Sequence, residues 1–448
     1  MELPINLQKH LYIPIELKDR ELDSQVILAA EACSKGFRVY LGSHAAIYNS
    51  LSTKFMRAGI YLDKGTQTID LTKWIHGKCE SIFILDQELN PSIEETYYNL
   101  GKNPVEGRIY LDTKDFLDGF FCVGPIIYKF AREFFGSSER IFATGWPRID
   151  IQTRYANLLY SKRIFKLKEK YGDFLLFVSD FGVLTQLSEI TQPKRLKALL
   201  DFEGEEFYKK SYADLQVVLN LLRLWDADPH VPTIIVRPHL VEDVRIWKKL
   251  LYGLTKTIVI QKGDITPWIS ASSGIIHRGS TVSIQAKLMG KPVFFVSDAS
   301  RAHDRKIVNE ISDEVVSESK PPIFLQLEKT LTRSQEELIS QILFYDTESA
   351  AEKIIRILNN QKLTYEEPIS AIRVFHNYFR LRAIRRALGL ARDEIYYVFK
   401  DNYQAPQSKN LPRGIRRRDV KFPLIALNKS SEIRVRRIGL NLWEFSSK

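Results

Sequence analysis

Residues 274–296 read GIIHRGSTVSIQAKLMGKPVFFV, and the predicted fold depends on the pattern in this stretch. Two short apolar runs, 274–277 and 292–296, are typical of buried strands, and the segment 281–289 between them is typical of a helix. A strand, a helix and a second strand of these lengths indicate a parallel sheet that is covered by helices.

The same alternation extends over most of the chain. In the first third it predicts a helix and four strands: Asp23–Lys35, and His10–Ile15, Phe37–Leu41, Ser81–Leu85 and Gly119–Val123. Further on it predicts a long basic helix, three more strands and two more helices: Thr153–Tyr171, Phe174–Val178, Thr233–Val236, Thr257–Ile260, Glu206–Trp225 and Asp243–Tyr252. We therefore predict an α/β protein with two Rossmann-like domains facing across a cleft, over residues 1–150 and 151–362, and a basic C-terminal extension over 363–448.

The positive charge is concentrated at the C-terminal end. The chain has 448 residues with 65 Lys+Arg and 54 Asp+Glu, a net charge of +11. Residues 371–448 contain 18 bases and 6 acids, or +12, so the remainder carries 47 bases and 48 acids, or −1. We expect any affinity for polyanions to lie in this tail.

Several protein classes lack support in the sequence. No run of about 18 apolar residues predicts a transmembrane helix, and the first residues do not resemble a secretory signal. Three widely spaced cysteines favour a reducing, cytoplasmic compartment. A GxGxxG after the first strand, a P-loop, HExxH, CxxC and GxSxG are all absent, which argues against dinucleotide oxidoreductases, P-loop NTPases, metal enzymes and serine hydrolases.

Candidate ligand-binding loops follow the predicted strands, because open α/β sheets bind ligands at the carboxyl ends of their strands. The loop His277-Arg278-Gly279-Ser280-Thr281 precedes a helix, where a glycine, two hydroxyls and the helix dipole favour a phosphate. Arg237-Pro238-His239 follows another strand and offers a guanidinium and an imidazole to a phosphate. The alternative interpretation is an N-cap at Ser280 or Thr281, a surface arginine, and a capping role for His239.

Carboxylates follow other strands. Asp180 comes after the strand at Phe174–Val178, where it could act as nucleophile, base or hydroxyl acceptor, or simply cap a turn. In the first domain, the charged segments 16–21 and 86–88 occupy equivalent positions. Acids there suit hydroxyl binding and proton transfer, although charged loops are usually only solvated.

A resemblance to a known family rests on several dispersed motifs. In chain order they are YIPIELKDRELDSQVILAAEACSKGFRVYLG, LDQEL, ATGWPRID, GDFLLFVSDFG, IIVRPH and WISASSGIIHRGSTVSIQAKLMGKPVFF. Together they resemble the bacterial surface-carbohydrate biosynthesis proteins, which are GT-B glycosyltransferase-like, over about Leu11 to Leu358. Within that group the chain is most similar to the Kdo transferases that use CMP-Kdo to build lipopolysaccharide or capsule.

The resemblance implies roles for individual residues. In such enzymes the C-terminal domain holds the nucleotide sugar and the N-terminal domain holds the acceptor. The matching positions imply donor-side and acceptor-side groups as follows: Arg237, His239, His277, Arg278, Gly279, Ser280, Thr281 and Gln285 toward the nucleotide and phosphate; Glu16 and Arg20 toward the acceptor; Asp180, Glu88 and Glu21 as catalytic carboxylates.

Three positions depart from the family pattern. His239-Leu240 stands where the family often has His-Pro, Gln285 where it often has Glu, and Ser179-Asp180 where it often has Thr-Asn. A glutamine can bind ribose hydroxyls only as a neutral group. The β-Kdo transferases retain configuration through a carboxylate nucleophile, and the resemblance makes Asp180 the candidate for that role.

The expected activity is metal-independent glycosyl transfer from a nucleotide sugar, with Kdo from CMP-Kdo as the specific donor. No cofactor is expected beyond the nucleotide-sugar substrate, and no metal. The expected acceptor is a glycan or lipid-linked glycan. The residues of 371–388 predict a basic amphipathic helix, which either contacts an anionic membrane at its cytoplasmic face or packs on the body of the protein.

Three alternatives remain open from the sequence. A nucleotide-sugar 2-epimerase has a similar two-domain architecture and needs no acceptor. A polymer phosphotransferase would use a similar phosphate site. A non-catalytic nucleic-acid-binding protein acting through Arg413 to Arg437 would explain the tail, but no nucleic-acid module is recognisable and the strand-end loops would stay unexplained.

Overall fold

A computed structural model describes most of the chain. It covers residues 8–52, 58–89, 92–99, 101, 103–182, 184–185, 205–240, 242–261, 263–296, 306–318, 320–322, 331–361, 411 and 414–448. The predicted amphipathic helix over 371–388 lies outside these residues.

Strands and helices alternate along the chain up to residue 316, as the sequence predicts. The strands are β1 His10–Ile15, β2 Arg38–Ser43, β3 Ile60–Asp63, β4 Ser81–Leu85, β5 Gly119–Cys122, β6 Ile141–Ala143, β7 Phe174–Val178, β8 Thr233–Arg237, β9 Thr257–Val259, β10 Gly274–His277, β11 Val293–Val296, β12 Glu314–Val316, β13 Ile433–Gly439 and β14 Leu442–Ser447.

The helices that accompany these strands vary from one turn to six. They are α1 Lys18–Ser34, α2 His44–Ser52, α3 Ile69–His76, α4 Glu94–Asn99, α5 Pro125–Phe135, α6 Pro147–Asp150, α7 Ala156–Tyr171, α8 Glu205–Ala227, α9 Val244–Leu250, α10 Thr266–Ala271, α11 Val282–Leu288, α12 Lys306–Glu310, α13 Arg333–Ile342, α14 Ala350–Asn359 and α15 Arg417–Ala426. A 3₁₀ helix spans Leu111–Phe116, and a π-helical turn, Ile151–Tyr155, precedes α7.

The strands form two sheets, each in its own compact unit. The first unit contains an eight-stranded sheet in the order β13-β14-β2-β1-β3-β4-β5-β6, and the second a six-stranded sheet in the order β12-β11-β10-β7-β8-β9. Neighbouring strands are parallel, except that β14 pairs antiparallel with both β2 and β13. The predicted α/β class with two Rossmann-like units is confirmed.

The first unit is assembled from three separate parts of the chain, residues up to 88, 102–151 and 343–448. Its core buries apolar side chains of α1, of α14 and of β14, among them Val26, Ile354 and Phe445. The sequence pattern instead predicts that residues up to 362 belong to the second domain and that 363–448 form an extension. The difference arises because α14 has an apolar face that packs on α1, and because the C-terminal hairpin extends the first sheet beyond β2.

The second unit contains residues 89–101 and 152–342. Its sheet carries an apolar cluster on each face: one contains Trp225 and Trp247, and the other contains Trp268 and Ile269. Both faces of β7 are therefore buried, which agrees with its continuous apolar sequence FLLFV. Within the described ranges of the chain, no helix has the length and hydrophobicity to cross a bilayer.

Candidate functional site

The predicted donor-side loops share one edge of the six-stranded sheet. Strands β10, β7 and β8 are neighbours and parallel, so the segments that follow them leave at the same edge. The backbone N–H of Ser179 donates to the carbonyl of Arg237 at 3.1 Å, which joins two of these segments directly. This is the edge at which open α/β sheets bind ligands.

Arg278 connects the loop after β10 to the loop after β7. Its Nε donates to Oδ1 of Asp180 at 2.9 Å, and its Nη1 pairs with Asp214 of α8. The guanidinium carbon also lies 4.0 Å from the ring centroid of Phe181. The Arg278 side chain is only 1% exposed, and a buried charge needs partners. The two carboxylates neutralise it. Asp180 thus lies at the predicted edge, held by a buried arginine.

The loop over 277–281 is shaped by its own hydrogen bonds. Nδ1 of His277 accepts the N–H of Gly279 at 2.9 Å, and its Nε2 lies 2.9 Å from the hydroxyl of Ser312. Both ring nitrogens of this fully buried histidine are therefore bonded to protein groups. His277 fixes the loop, and this geometry does not suit the phosphate contact expected for its side chain.

The turn at Gly279 depends on glycine, because its φ of 125° lies in the region that L side chains rarely adopt. Ser280 follows with its hydroxyl accepting the N–H of Val282 at 3.3 Å. Thr281 is the N-cap of the seven-residue α11 and makes no side-chain cap bond. Ser280 and Thr281 are half-buried, and their phosphate contacts remain predictions.

Arg237 and His239 differ in environment. The guanidinium of Arg237 is buried, donates to the carbonyl of Gly263 at 2.7 Å and lies 5.2 Å from the Trp268 ring centroid. His239 is exposed, and its carbonyl accepts the side-chain amide of Gln261 at 2.7 Å. The loop is thus fastened through the backbone of an exposed residue, His239.

Glu242 is a buried acid at this edge that the sequence analysis missed. Its carboxylate accepts the Ser179 hydroxyl at 2.7 Å and the Trp247 indole N–H at 2.5 Å, so it joins the segments after β7 and β8. Burial raises the pKa of Glu242 to about 7. The only sequence signal was an acid close to Arg237 and Trp247, which does not separate a buried acid from a solvated one.

Gln285 lies on α11 and is buried. Its side-chain oxygen accepts the amide N–H of Gln152 at 2.6 Å. The bond ties α11 to the start of the π-helical turn Ile151–Tyr155, and the predicted ribose contact of Gln285 remains a prediction.

The predicted acceptor-side residues meet at the carboxyl edge of the eight-stranded sheet, in two ion-paired groups. In the first group, Glu21 is buried, accepts the N–H of Glu16 at 2.8 Å and that of Leu17 at 3.1 Å, and contacts Nζ of Lys64 at 3.2 Å. Lys64 also pairs with Glu16 at 2.5 Å. Glu21 therefore satisfies the backbone N–H groups of the two residues that precede α1.

In the second group, Arg20 donates to Glu88 at 2.6 Å and to the carbonyl of Gln87 at 3.0 Å. Burial opposes ionisation of Glu88, but Arg20, with Lys64 and Arg108, outweighs it and holds the pKa of Glu88 below its usual range. Glu88 is consequently a weak base. The structure brings Glu16, Arg20, Glu21 and Glu88 to one edge. This is expected, because the loops that carry them follow strands of one parallel sheet.

A histidine–aspartate pair at the same edge was missed by the sequence analysis. Nε2 of His44, the first residue of α2, lies 3.1 Å and 3.2 Å from the two carboxylate oxygens of Asp63, the last residue of β3. Asp63 also accepts the Tyr61 hydroxyl at 3.2 Å and the N–H of Lys64 at 2.8 Å. The pairing needed the position of β3, which the sequence pattern did not reveal.

The electrostatics of this pair favour a basic histidine. Burial lowers the pKa of His44, but the Asp63 carboxylate, with Glu16 and Glu21, raises it above its usual value of 6.5. Nδ1 of His44 has no hydrogen bond to any residue that the structure describes. With the Nε2 proton directed to Asp63, Nδ1 can accept a proton, which is the arrangement of a general base.

Among the described residues, no group of three or more His, Cys, Asp or Glu side chains is placed to hold a metal ion. The three cysteines, Cys33, Cys79 and Cys122, are buried and unpaired. Burial raises the pKa of the Cys33 thiol to about 12, so this thiol is protonated at neutral pH.

Comparison with known proteins identifies the fold. Neither protein-family models nor curated proteins match the chain. Among solved structures, a variant of the wall teichoic acid polymerase TagF is similar with a TM-score of 0.50 and 11% identity, over 78% of this chain and 88% of that one. The UDP-GlcNAc 2-epimerase of Methanocaldococcus jannaschii (TM-score 0.45, 13% identity, 79% and 100% covered) and S. aureus MnaA with UDP (0.44, 13%, 78% and 95%) also align. The chain thus has a GT-B-like fold, which it shares with the polymerase.

Proposed function

We propose that this chain is a glycosyltransferase that takes a sugar from a nucleotide donor and adds it to a surface polysaccharide or a lipid-linked glycan. The observation that carries the proposal is the contact of Arg278 with Asp180 at the sheet edge that the Arg237 loop also reaches. The fold shared with a wall teichoic acid polymerase supports it. The finer proposal, CMP-Kdo as the donor, rests on the sequence resemblance.

On the donor side, cleavage of the sugar–phosphate bond builds negative charge on the departing phosphate. Arg237 and the backbone N–H groups of Ser280 and Thr281 are the groups we assign to that charge. Asp180 is assigned to the positive charge that develops on the sugar, either by electrostatic stabilisation or as nucleophile. Its bond with Arg278 orients Asp180 for this role.

On the acceptor side, we assign the proton of the attacking hydroxyl to His44 rather than to Glu21 or Glu88. Glu21 is occupied by two backbone N–H groups and Lys64, and the lowered pKa of Glu88 makes it a poor base. His44 is oriented by Asp63 and has a raised pKa. A lipid-linked acceptor would bring the chain to the cytoplasmic face of a membrane.

The test is CMP release from CMP-Kdo in the presence of EDTA, with an acceptor glycan and without one. We expect wild-type turnover to persist in EDTA and to depend on the acceptor. Arg237→Ala should lose about 100-fold or more in kcat, because it removes charge stabilisation from the leaving phosphate. Arg245→Ala is the matched control, since Arg245 is 70% exposed and lies on α9, the helix that follows the same loop.

Equal turnover of wild type and Arg237→Ala would remove the role given to Arg237, and strict metal dependence would remove the metal-free mechanism. Release of CMP at the same rate without any acceptor would mean hydrolysis or epimerisation rather than transfer. Thermal melting of each variant separates loss of activity from loss of fold.

A further inference from the structure

Helix α15 has one buried face and one exposed face of unusual composition. Val420 and Leu424 pack into the core of the first unit. On the opposite face Phe422 is 48% exposed and Ile425 is 58% exposed. Residues three apart are neighbours on a helix surface, so these two side chains form one apolar patch in contact with solvent.

Basic side chains border this patch. Arg417 and Arg418 are exposed, and Lys421 is half-buried. The helix has one acid, Asp419, which is turned toward the protein: it pairs with Lys18 at 2.5 Å, and Arg418 reaches it only at 3.7 Å. The exposed face of α15 therefore carries positive charge and apolar surface with no exposed carboxylate.

The surrounding C-terminal residues extend the positive charge. Residues 414–448 contain 9 Lys+Arg and 3 Asp+Glu. Arg434, Arg436 and Arg437 of β13 are exposed, and β13 is the edge strand of its sheet. Two of the three acids are paired, Asp419 with Lys18 and Glu444 with Arg436. The C-terminal residues that include α15 therefore carry a net positive charge.

We propose that α15 is a docking surface for an anionic lipid bilayer, with Phe422 and Ile425 inserted at the interface and the arginines on lipid phosphates. An anionic leaflet attracts basic side chains, and a helix with apolar and basic side chains on its outer face lies in the plane of such an interface. This proposal does not depend on the glycosyltransferase assignment, because it rests only on the α15 surface and its charge.

The composition of the patch favours a bilayer over two other partners. A nucleic acid would contact the arginines, but its binding would gain nothing from covering Ile425. A stable protein interface buries roughly 1,200–2,000 Å², far more than two apolar side chains supply. A bilayer accepts a small apolar patch because the surrounding charges add to its binding.

The first measurement is co-sedimentation of the full chain with vesicles of phosphatidylcholine, alone or with about 30% phosphatidylglycerol. We expect binding to the anionic vesicles only, weakened by salt. The double variant Phe422→Ser, Ile425→Ser should lower the partition coefficient about tenfold. The matched control is Leu158→Ser, Phe165→Ser on the lysine-rich α7, whose side chains are 55% and 67% exposed and whose loss should change nothing.

The second measurement places a dye at the patch. Because the native cysteines are buried, a thiol-reactive, polarity-sensitive dye will label Ile425→Cys selectively. We expect its emission to shift to the blue on anionic vesicles, while the same dye at Tyr252→Cys, a position 91% exposed, stays unchanged.

The co-sedimentation would overturn the proposal if the wild-type protein bound neither kind of vesicle, if the α15 variant bound as well as wild type, or if the α7 control lost as much binding as the α15 variant. The dye measurement would overturn it if the dye at position 425 reported water while the chain sedimented with the vesicles. Concentration-dependent self-association that the α15 variant abolishes would assign the patch to a second copy of the chain instead.

Discussion

At the scale of single residues, charged side chains at both candidate edges form ion pairs. Arg278 with Asp180, and Lys64 with Glu16 and Glu21, keep ionised side chains in place at the ends of strands. Two titratable groups differ: burial raises the pKa of one of them, and nearby carboxylates, led by Asp63, raise the pKa of the other. They are Glu242 and His44, and each gives a pH-dependent prediction.

Replacing Glu242 by glutamine should change how stability depends on pH. The pKa of Glu242 is about 7 in the folded protein, against an ordinary 4.5, so its contribution is fully present below pH 4.5 and is lost as the pH rises through 7. A shift of that size corresponds to about 3 kcal/mol. Urea unfolding followed by tryptophan fluorescence should show Glu242→Gln gaining about that much relative to wild type between pH 4.5 and 8. A difference that is the same at both pH values would mean that folding does not raise the pKa of Glu242.

Replacing Asp63 by asparagine should lower the pKa of His44. Burial remains in the variant, while the strongest attraction for the imidazolium is gone. In wild type the raised pKa means that His44 stabilises the fold at low pH and that this contribution is lost as the pH rises through its folded-state pKa. An NMR titration of the histidine ring resonances measures the change directly. Tyr48→Phe serves as a control, because the Tyr48 ring lies 5.8 Å from the His44 ring and the change leaves the Asp63 carboxylate in place. An unchanged His44 pKa in Asp63→Asn would contradict the pairing.

At the scale of secondary-structure elements, the first sheet depends on strands from both ends of the chain. Strand β14 pairs with β2, and it contributes Trp443 and Phe445 to the same core as α1. Gly42 of β2 lies against this strand, and a Cβ atom at that position would come 2.3 Å from the carbonyl oxygen of Asn441. The close approach of two backbones explains the glycine.

Gly42→Ala should therefore destabilise the first unit by about 1–3 kcal/mol, the usual cost of forcing an extra atom into a packed region. Gly107→Ala is the control, because a Cβ there meets nothing within 4 Å, and it should change stability by less than about 0.5 kcal/mol. Thermal unfolding of both variants provides the comparison. Equal stability of the two would show that β14 does not pair closely with β2.

The strands that sequence could predict are those with continuous apolar runs. The bounds predicted for β1, β4, β7 and β10 agree with the structure, since these strands are buried on both faces and flanked by polar or glycine residues. Strands β13 and β14 were missed because β13 alternates arginine with apolar residues in a region read as a basic extension. One face of that hairpin packs on the core, which only tertiary contact reveals.

The residues of the candidate site also fall into those that the sequence could predict and those that it could not. Asp180, Arg237 and Arg278 were predictable because each follows a recognisable strand, and strand order brings them to one edge. The pairing of His44 with Asp63 was not, because β3 was not predicted. The internal bonds of His277 were also beyond reach, since Ser312 is distant in sequence and meets it only in the fold.

At the scale of the whole molecule, the chain order imposes a constraint on assembly. The first unit uses residues up to 88 and also residues from 343 onward, with the second unit inserted between them. Contacts between such distant segments form slowly, because loop closure must precede them. The C-terminal hairpin is thus a structural part of the first unit, although it contains only three of the 18 bases of the basic segment 371–448.

Hydrogen exchange with bound nucleotide tests the central claim most directly. The full chain is measured alone and with CMP, UDP, GDP or dTDP. At least one nucleotide should slow exchange in the segments 179–182, 237–240 and 277–282, because a ligand seated at the sheet edge shields the backbone N–H groups there. Protection confined to other parts of the chain, or no protection by any nucleotide, would contradict a nucleotide-donor site at the carboxyl ends of β7, β8 and β10.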